Sequence, residues 1–173
     1  IDLENDLRRA IELGQLRVMF QPIVALASGV TEGVEALVRW NHPERGLVAP
    51  GDFIEIAEEN GAILPIGRWV LAEACRQASP WLTDHPDLFL CVNVSAREIQ
   101  QPDFVNTVET TLAAAGFDAA RLSLEITETA LLRATPTTIR TLEALRSLGV
   151  RIVIDDFGTG YFSLSHLRQF PVD

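Results

Sequence analysis

Asp155 and Asp156 stand side by side after a short β-branched apolar run, Val150-Arg151-Ile152-Val153-Ile154, and before a loop with glycines at 158 and 160. The run reads as a buried strand. Two carboxylates at the end of a buried strand are costly unless a positive group meets them. A divalent cation is one such partner, because oxygen ligands suit Mg²⁺, Mn²⁺ or Ca²⁺. A helix cap or an arginine is the other. Glu35, Asn93 and Glu125 each sit near the carboxyl end of a further strand. Asn93, Glu125 and Asp155 follow one another at intervals of about 30 residues, the length of one strand-helix unit. Successive parallel strands would then present them on a single rim, which in a barrel is where catalytic residues sit. Four carboxylates and one amide, brought that close, would repel and partly protonate without a cation. One or two divalent ions would match their charge.

The elements that must position these groups follow from periodicity and punctuation. Leu3, Leu7, Ala10, Ile11 and Leu13 recur at helical spacing, and Gly14 stops that helix. Residues 16–25 and 30–40 read as two strands around the turn Ala27-Ser28-Gly29, an antiparallel hairpin. A loop over 43–51 is expected next, then a helix capped by Asp52 that runs to Asn60 and ends at Gly61. An apolar helix spans 64–78, and the stretch from Pro80 to Pro86 connects it to a strand over 88–94. Ser95 caps a short helical turn. Helices are expected at 103–115 and 136–148, a strand at 122–126, and a weak helix at 163–169. From Leu88 onward strands and helices alternate, the signature of a parallel sheet with helical crossovers. An open doubly wound sheet and a closed barrel are the alternatives. No Gly-rich phosphate fingerprint follows a strand, which counts against the nucleotide-binding open sheets.

The 173 residues suffice for a domain with a real core, and 47% apolar with 22% charged residues is a globular composition. A net charge of −10 argues against a polymeric nucleic-acid partner but leaves room for a small phosphorylated ligand that arrives with metal ions. Cys75 and Cys91 lack metal spacing and read as buried apolar residues in a reducing compartment. No apolar run approaches membrane-spanning length and the first residues do not form a signal peptide, so a cytoplasmic location is expected. His42, His85 and His166 form no triad and read as surface or structural. Trp40, Trp69 and Trp81 read as packing residues, and Glu55, Glu58 and Glu59 as a solvated helix face.

Five motifs occur in order: Phe20-Gln21-Pro22-Ile23-Val24, Glu35-Ala36-Leu37-Val38-Arg39-Trp40, Asn93-Val94-Ser95, Glu125-Ile126-Thr127-Glu128, and Asp155-Asp156-Phe157-Gly158-Thr159-Gly160-Tyr161. Together they resemble the EAL-domain family, which hydrolyses the bacterial second messenger cyclic di-GMP. The resemblance covers essentially the whole chain. It implies an α/β fold, a modified TIM barrel whose first strand runs antiparallel. It implies metal ligation of Mg²⁺ or Mn²⁺ by Glu35, Asn93, Glu125 and Asp155, with Asp156 serving the metals and the attacking water. Glu128 would anchor the loop from Phe157 to Tyr161. Gln21, Leu37 and Arg39 would contact the dinucleotide, Arg39 through a phosphate. The product would be linear pGpG, and the expected setting is a homodimer with sensory or GGDEF-type domains in the same protein. An inactive module that binds cyclic di-GMP as a sensor, or serves in regulation or dimerisation, is the alternative.

The chain departs from the family in two respects. The family continues into a strand with a catalytic Lys, and further on carries another Glu and a Gln. Residues 1–173 therefore read as the N-terminal two-thirds of the domain, without roughly the last three strands of a barrel that typically takes about 250 residues. Alone they are expected to hydrolyse substrate poorly. Phe162 also stands where the family usually has Ser.

Overall fold

The computed structural model of the chain describes residues 3–132, 134–155 and 170–172. Asp156, the loop from Phe157 to Tyr161, Phe162, His166 and the expected helix at 163–169 lie outside them. Helix α1 (Leu3–Arg9) leads into strand β1 (Leu16–Val24), which pairs antiparallel with β2 (Thr31–His42), from Leu16 opposite Trp40 to Val24 opposite Thr31. The hairpin read from the sequence is thus present. Strand β3 (Gly46–Val48) folds back on the end of β2, where a plain loop was expected. After a 3-10 turn at Pro50–Asp52 come α2 (Ile54–Asn60) and the long α3 (Ile63–Asp84). The rest runs β4 (Phe89–Asn93), α4 (Ala96–Ile99), α5 (Phe104–Ala115), β5 (Leu122–Thr127), α6 (Glu128–Leu132), α7 (Pro136–Ser147) and β6 (Arg151–Asp155). The strands form one mixed sheet ordered β1-β2-β4-β5-β6, with β3 paired to the end of β2 on the edge away from β1; β2, β4, β5 and β6 are parallel.

Register sorts the side chains. Ala36 lies opposite Val92, Leu90 opposite Leu122, and Leu124 opposite Ile152. Side chains alternate along a strand, so the even-numbered positions share one face. That face is the core: Leu16, Ala36, Trp40, Leu90, Val92, Leu122, Leu124, Ile126 and Ile152 are all buried. Helices cover it. The α3 stripe Ile63, Ile66, Val70, Ala74, Ala78 and Leu82 is buried at helical spacing, as are Val108 and Leu112 of α5 and Leu142 and Leu145 of α7. Each fully buried aliphatic side chain contributes about 1.5–3 kcal/mol. The odd-numbered positions are left for the opposite face, and they include Glu35, Asn93, Glu125 and Asp155.

Besides α1, which ends at Arg9 and gives way to turns before Gly14, two helix boundaries differ from the sequence reading. Asp52 belongs to the 3-10 turn, and α2 begins after Phe53 with no side-chain cap. The fully buried Phe53 ring packs edge-on against Trp40, 5.8 Å between centroids, so core packing sets this helix start. The second difference is that α3 continues through Pro80. Pro80 is exposed, so the carbonyl it leaves unpaired can bond water. Beyond it Leu82 is buried, and the Arg121 guanidinium donates to the carbonyl oxygens of Leu82, His85 and Leu88. Those bonds satisfy the helix end, where Pro80 and Pro86 would otherwise suggest a connector.

Candidate functional site

Asn93 ends β4 and lies opposite Glu125 of β5, while Glu35 of β2 lies opposite Cys91, two residues earlier in β4. Asp155 ends β6 opposite Thr127. The register therefore brings Glu35, Asn93, Glu125 and Asp155 to one face of four adjacent parallel strands. Asn93, Glu125 and Asp155 lie at or near the carboxyl ends of theirs, but Glu35, expected at a strand's carboxyl end, is the fifth of the twelve residues of β2, which runs on past β4 to pair with β3. Asn93 Nδ2 donates to Glu35 Oε1 at 2.7 Å, a bond between residues 58 apart in the chain. The Glu125 carboxyl is held above its ordinary value, first by burial and then by the charge of Glu35. A hydrogen bond from Cys91 opposes the rise, and Asp155 adds to it. Cys91 itself is pushed up to about 12, chiefly by burial, so it stays a protonated donor beneath the carboxylates.

A cavity of about 450 Å³ opens on this cluster. Glu35, Leu37, Asn93 and Glu125 line it, together with Ile63 and Ile66 of α3. Gln21 and Arg39 lie outside its lining. Gln21 is opposite Glu35 and Arg39 opposite Arg17 in the hairpin, so both share the sheet face of Glu35 without entering the cavity. Arg39 is half-buried and donates to its neighbour's carbonyl, Val38 O, at 2.8 Å. Glu128 is 3% exposed at the start of α6. The loop it was expected to anchor lies outside the described residues.

Two carboxylates reach the cavity that the sequence reading had not placed there. Glu58, read as part of a solvated face, is half-buried and lines it. Glu98 is 6% exposed. Its Oε2 accepts from Ser95 N at 2.8 Å, while Ser95 Oγ accepts from Glu98 N at 3.3 Å. This capping box starts α4 two residues after Asn93 and holds the chain where it leaves the strand. Burial pushes the Glu98 carboxyl up to about 7 against the lowering effect of Ser95, and Glu58 adds to the rise. The signal was legible: Ser95-Ala96-Arg97-Glu98 is a capping-box sequence. His42, read as structural, is buried; its Nδ1 accepts from Glu44 N and Arg45 N, and its Nε2 lies 3.3 Å from Asp6 Oδ2, tying α1 to the hairpin.

The donor set suits a hard divalent cation. Every donor is an oxygen, and the Glu125 carboxyl is raised first by burial and then by the neighbouring charge of Glu35. Among the described residues no group of three His, Cys, Asp or Glu side chains is gathered closely enough to hold an ion. Asn93, an oxygen donor of another type, sits between Glu35 and Glu125, and Asp156 lies outside those residues. No described helix is long and apolar enough to cross a membrane.

Comparison with known proteins identifies the family and the fold. The model of the EAL domain matches residues 4–173. The protein named cyclic di-GMP phosphodiesterase NbdA of Pseudomonas aeruginosa is 46% identical over 174 residues, 100% of this chain and 22% of its own length. The bifunctional diguanylate cyclase/cyclic di-GMP phosphodiesterase MucR of the same organism is 44% identical over 172 residues, 99% of this chain and 25% of its length. A solved structure described as the PaMucR phosphodiesterase in complex with c-di-GMP superposes with a TM-score of 0.94 at 43% identity, covering 100% of this chain and 70% of that one. The chain thus spans a quarter or less of these two full-length relatives. Its α/β fold, with an antiparallel first strand on a parallel sheet, is that of the TIM-barrel-like EAL structures. The chain belongs to the EAL-domain family.

Proposed function

We propose that the protein hydrolyses cyclic di-GMP to linear pGpG with the help of Mg²⁺ or Mn²⁺, and that residues 1–173 are part of the domain that does so. One observation carries the reading: Asn93 and Glu35, distant in sequence, meet at 2.7 Å beside Glu125 on the wall of a cavity large enough for a nucleotide moiety. Glu35, Asn93, Glu125 and Asp155 would hold the cation, with Asp156. When bound, the cation neutralises phosphoryl oxygens and makes a water more acidic. The chain's own residues orient the parts. Asn93 fixes the Glu35 carboxylate through its amide. The capping box of Ser95 and Glu98 fixes the exit of β4. Leu37, Ile63 and Ile66 shield one side of the cavity from water. Arg39 and Gln21 are the proposed contacts to the dinucleotide, Arg39 through a phosphate, which a guanidinium can grip by two parallel bonds. Glu128 is the proposed anchor of the loop after Asp156.

The same reading makes the protein a cytoplasmic, homodimeric signalling module alongside sensory or GGDEF-type domains. Support for the neighbouring domains comes from the bifunctional name of MucR and the small share of that protein this chain covers. The test incubates full-length protein with cyclic di-GMP, with and without Mg²⁺, and follows pGpG by chromatography. Mg²⁺-dependent pGpG supports the reading. Binding without turnover replaces it with a cyclic di-GMP sensor. Neither binding nor turnover removes both.

A further inference from the structure

Three cross-strand rungs of the β1–β2 hairpin lie on the sheet face of the carboxylate cluster: Gln21 opposite Glu35, Met19 opposite Leu37, and Arg17 opposite Arg39. Rungs on one face are about 7 Å apart, so the arginine rung stands about 14 Å from Glu35 along the hairpin. The chemistry changes in order from acid and amide, through an apolar pair, to two guanidiniums. Met19 is 46% exposed, so the apolar rung is open to contact.

The arginine rung is the unusual one. Like charges directly opposite each other in an antiparallel pair are destabilising. Neither guanidinium has a carboxylate partner among the described residues, in a chain of net charge −10. Arg17 donates through Nη1 to Gly14 O and Leu16 O, both at 2.7 Å, and Arg39 through Nη1 to Val38 O. These are bonds to neighbouring backbone, and among the described residues Nη2 of each arginine makes no hydrogen bond. An anion lying between the two would relieve their repulsion and take charge-assisted bonds from both.

We infer that Arg17 and Arg39 form a two-guanidinium clamp for one phosphate of the ligand, with Arg17 as a binding residue in its own right. The inference rests on the proposed function: one phosphodiester at the carboxylates, a nucleoside across Met19 and Leu37, and the second phosphate at the arginines. Arg17 supplies affinity and selects ligands that carry two phosphates; it takes no part in bond breaking.

The test measures binding of cyclic di-GMP to full-length protein by calorimetry in EDTA, at several salt concentrations, alongside the melting temperature. Arg17→Met keeps the apolar stem and removes the charge. It is expected to weaken binding at least tenfold, to flatten the salt dependence and to leave the melting temperature unchanged, with Arg17→Lys falling between it and the wild type. Wild-type affinity and salt dependence in Arg17→Met would overturn the clamp and leave the proposed function standing. A fall in melting temperature that accounts for the weaker binding, unrelieved in Arg17→Lys, would make Arg17 structural and overturn it too. Failure of the wild-type protein to bind cyclic di-GMP both in EDTA and with a divalent cation added would remove the proposed function and the clamp together.

Discussion

The Glu98 carboxylate occupies the space beside Gly67 that any larger residue would need: a methyl group on Gly67 would fall 1.8 Å from Glu98 Oε1. Gly67 lies inside α3 and Glu98 in α4, so the absence of one side chain lets two helices share a wall of the cavity.

Gly67→Ala sets two effects against each other. Alanine in a helix interior is favoured over glycine by about 1 kcal/mol. The methyl group must displace the Glu98 carboxylate, which costs its bond from Ser95 N, about 1.5–3 kcal/mol for a charge-assisted bond. The variant is expected to lose about 1 kcal/mol in urea denaturation. Adding Glu98→Ala removes the obstruction, so the double variant should be more stable than the two single effects summed. A stabilised Gly67→Ala would show that the carboxylate is not held in place.

Glu98 should make stability depend on pH. Its carboxyl is raised from 4.5 to about 7 in the fold, by burial first. The fold therefore favours the protonated form. The associated stability is fully present below about pH 4.5 and is lost as pH rises through about 7, by up to about 3 kcal/mol. Glu98→Gln preserves the capping box and cannot ionise. Denaturation midpoints measured from pH 5 to 8 should fall with pH in the wild type and stay level in this variant; parallel curves would contradict the assignment.

Removing the Glu35 carboxylate takes away both the partner of Asn93 and a donor of the proposed cation site. Glu35→Ala is expected to cut Mg²⁺-dependent formation of pGpG at least about 100-fold, the scale on which single charged contacts act in such sites. The melting temperature should hardly change, because Glu35 is only half-buried. Retained turnover would take Glu35 out of the ligand set.

Arg121→Ala should unfold the end of α3 first. The side chain donates to three carbonyl groups, of Leu82, His85 and Leu88, and bridges the helix end to the start of β5. Leaving those acceptors unpaired is expected to cost about 2–4 kcal/mol. Hydrogen exchange should show residues 80–88 losing protection, with the rest of α3 retained beyond the level set by global stability. Uniform exchange across α3 would argue against a local anchor.

Much of the fold was legible because alternation and helical spacing are local properties. The strand run before Asp155, the hairpin before Glu35 and the glycine stops at 61, 116 and 149 stand at or within a few residues of where the periodicity puts them. Pro80 shows the limit. Its local preference says stop, yet Leu82 burial and the Arg121 bridge, which reaches across more than 30 residues, carry the helix onward. Asp52 is the mirror case: a good capping residue that the packing of Phe53 on Trp40 leaves unused.

At the candidate site the amino-acid order determined which residues could act, since four acidic or amide positions on predicted strands already restrict the chemistry to hard oxygen donors. Alternation sorted the side chains of each strand between its two faces, but did not set which residues of different strands share one. Which of them meet was decided only by the tertiary structure. Register between β2 and β4 brings Glu35 to Asn93, and a missing Cβ at Gly67 admits Glu98 to the cavity wall. Such contacts depend on how strands slide and helices settle against one another. That is an outcome of packing the whole core, and no local stretch of chain specifies it.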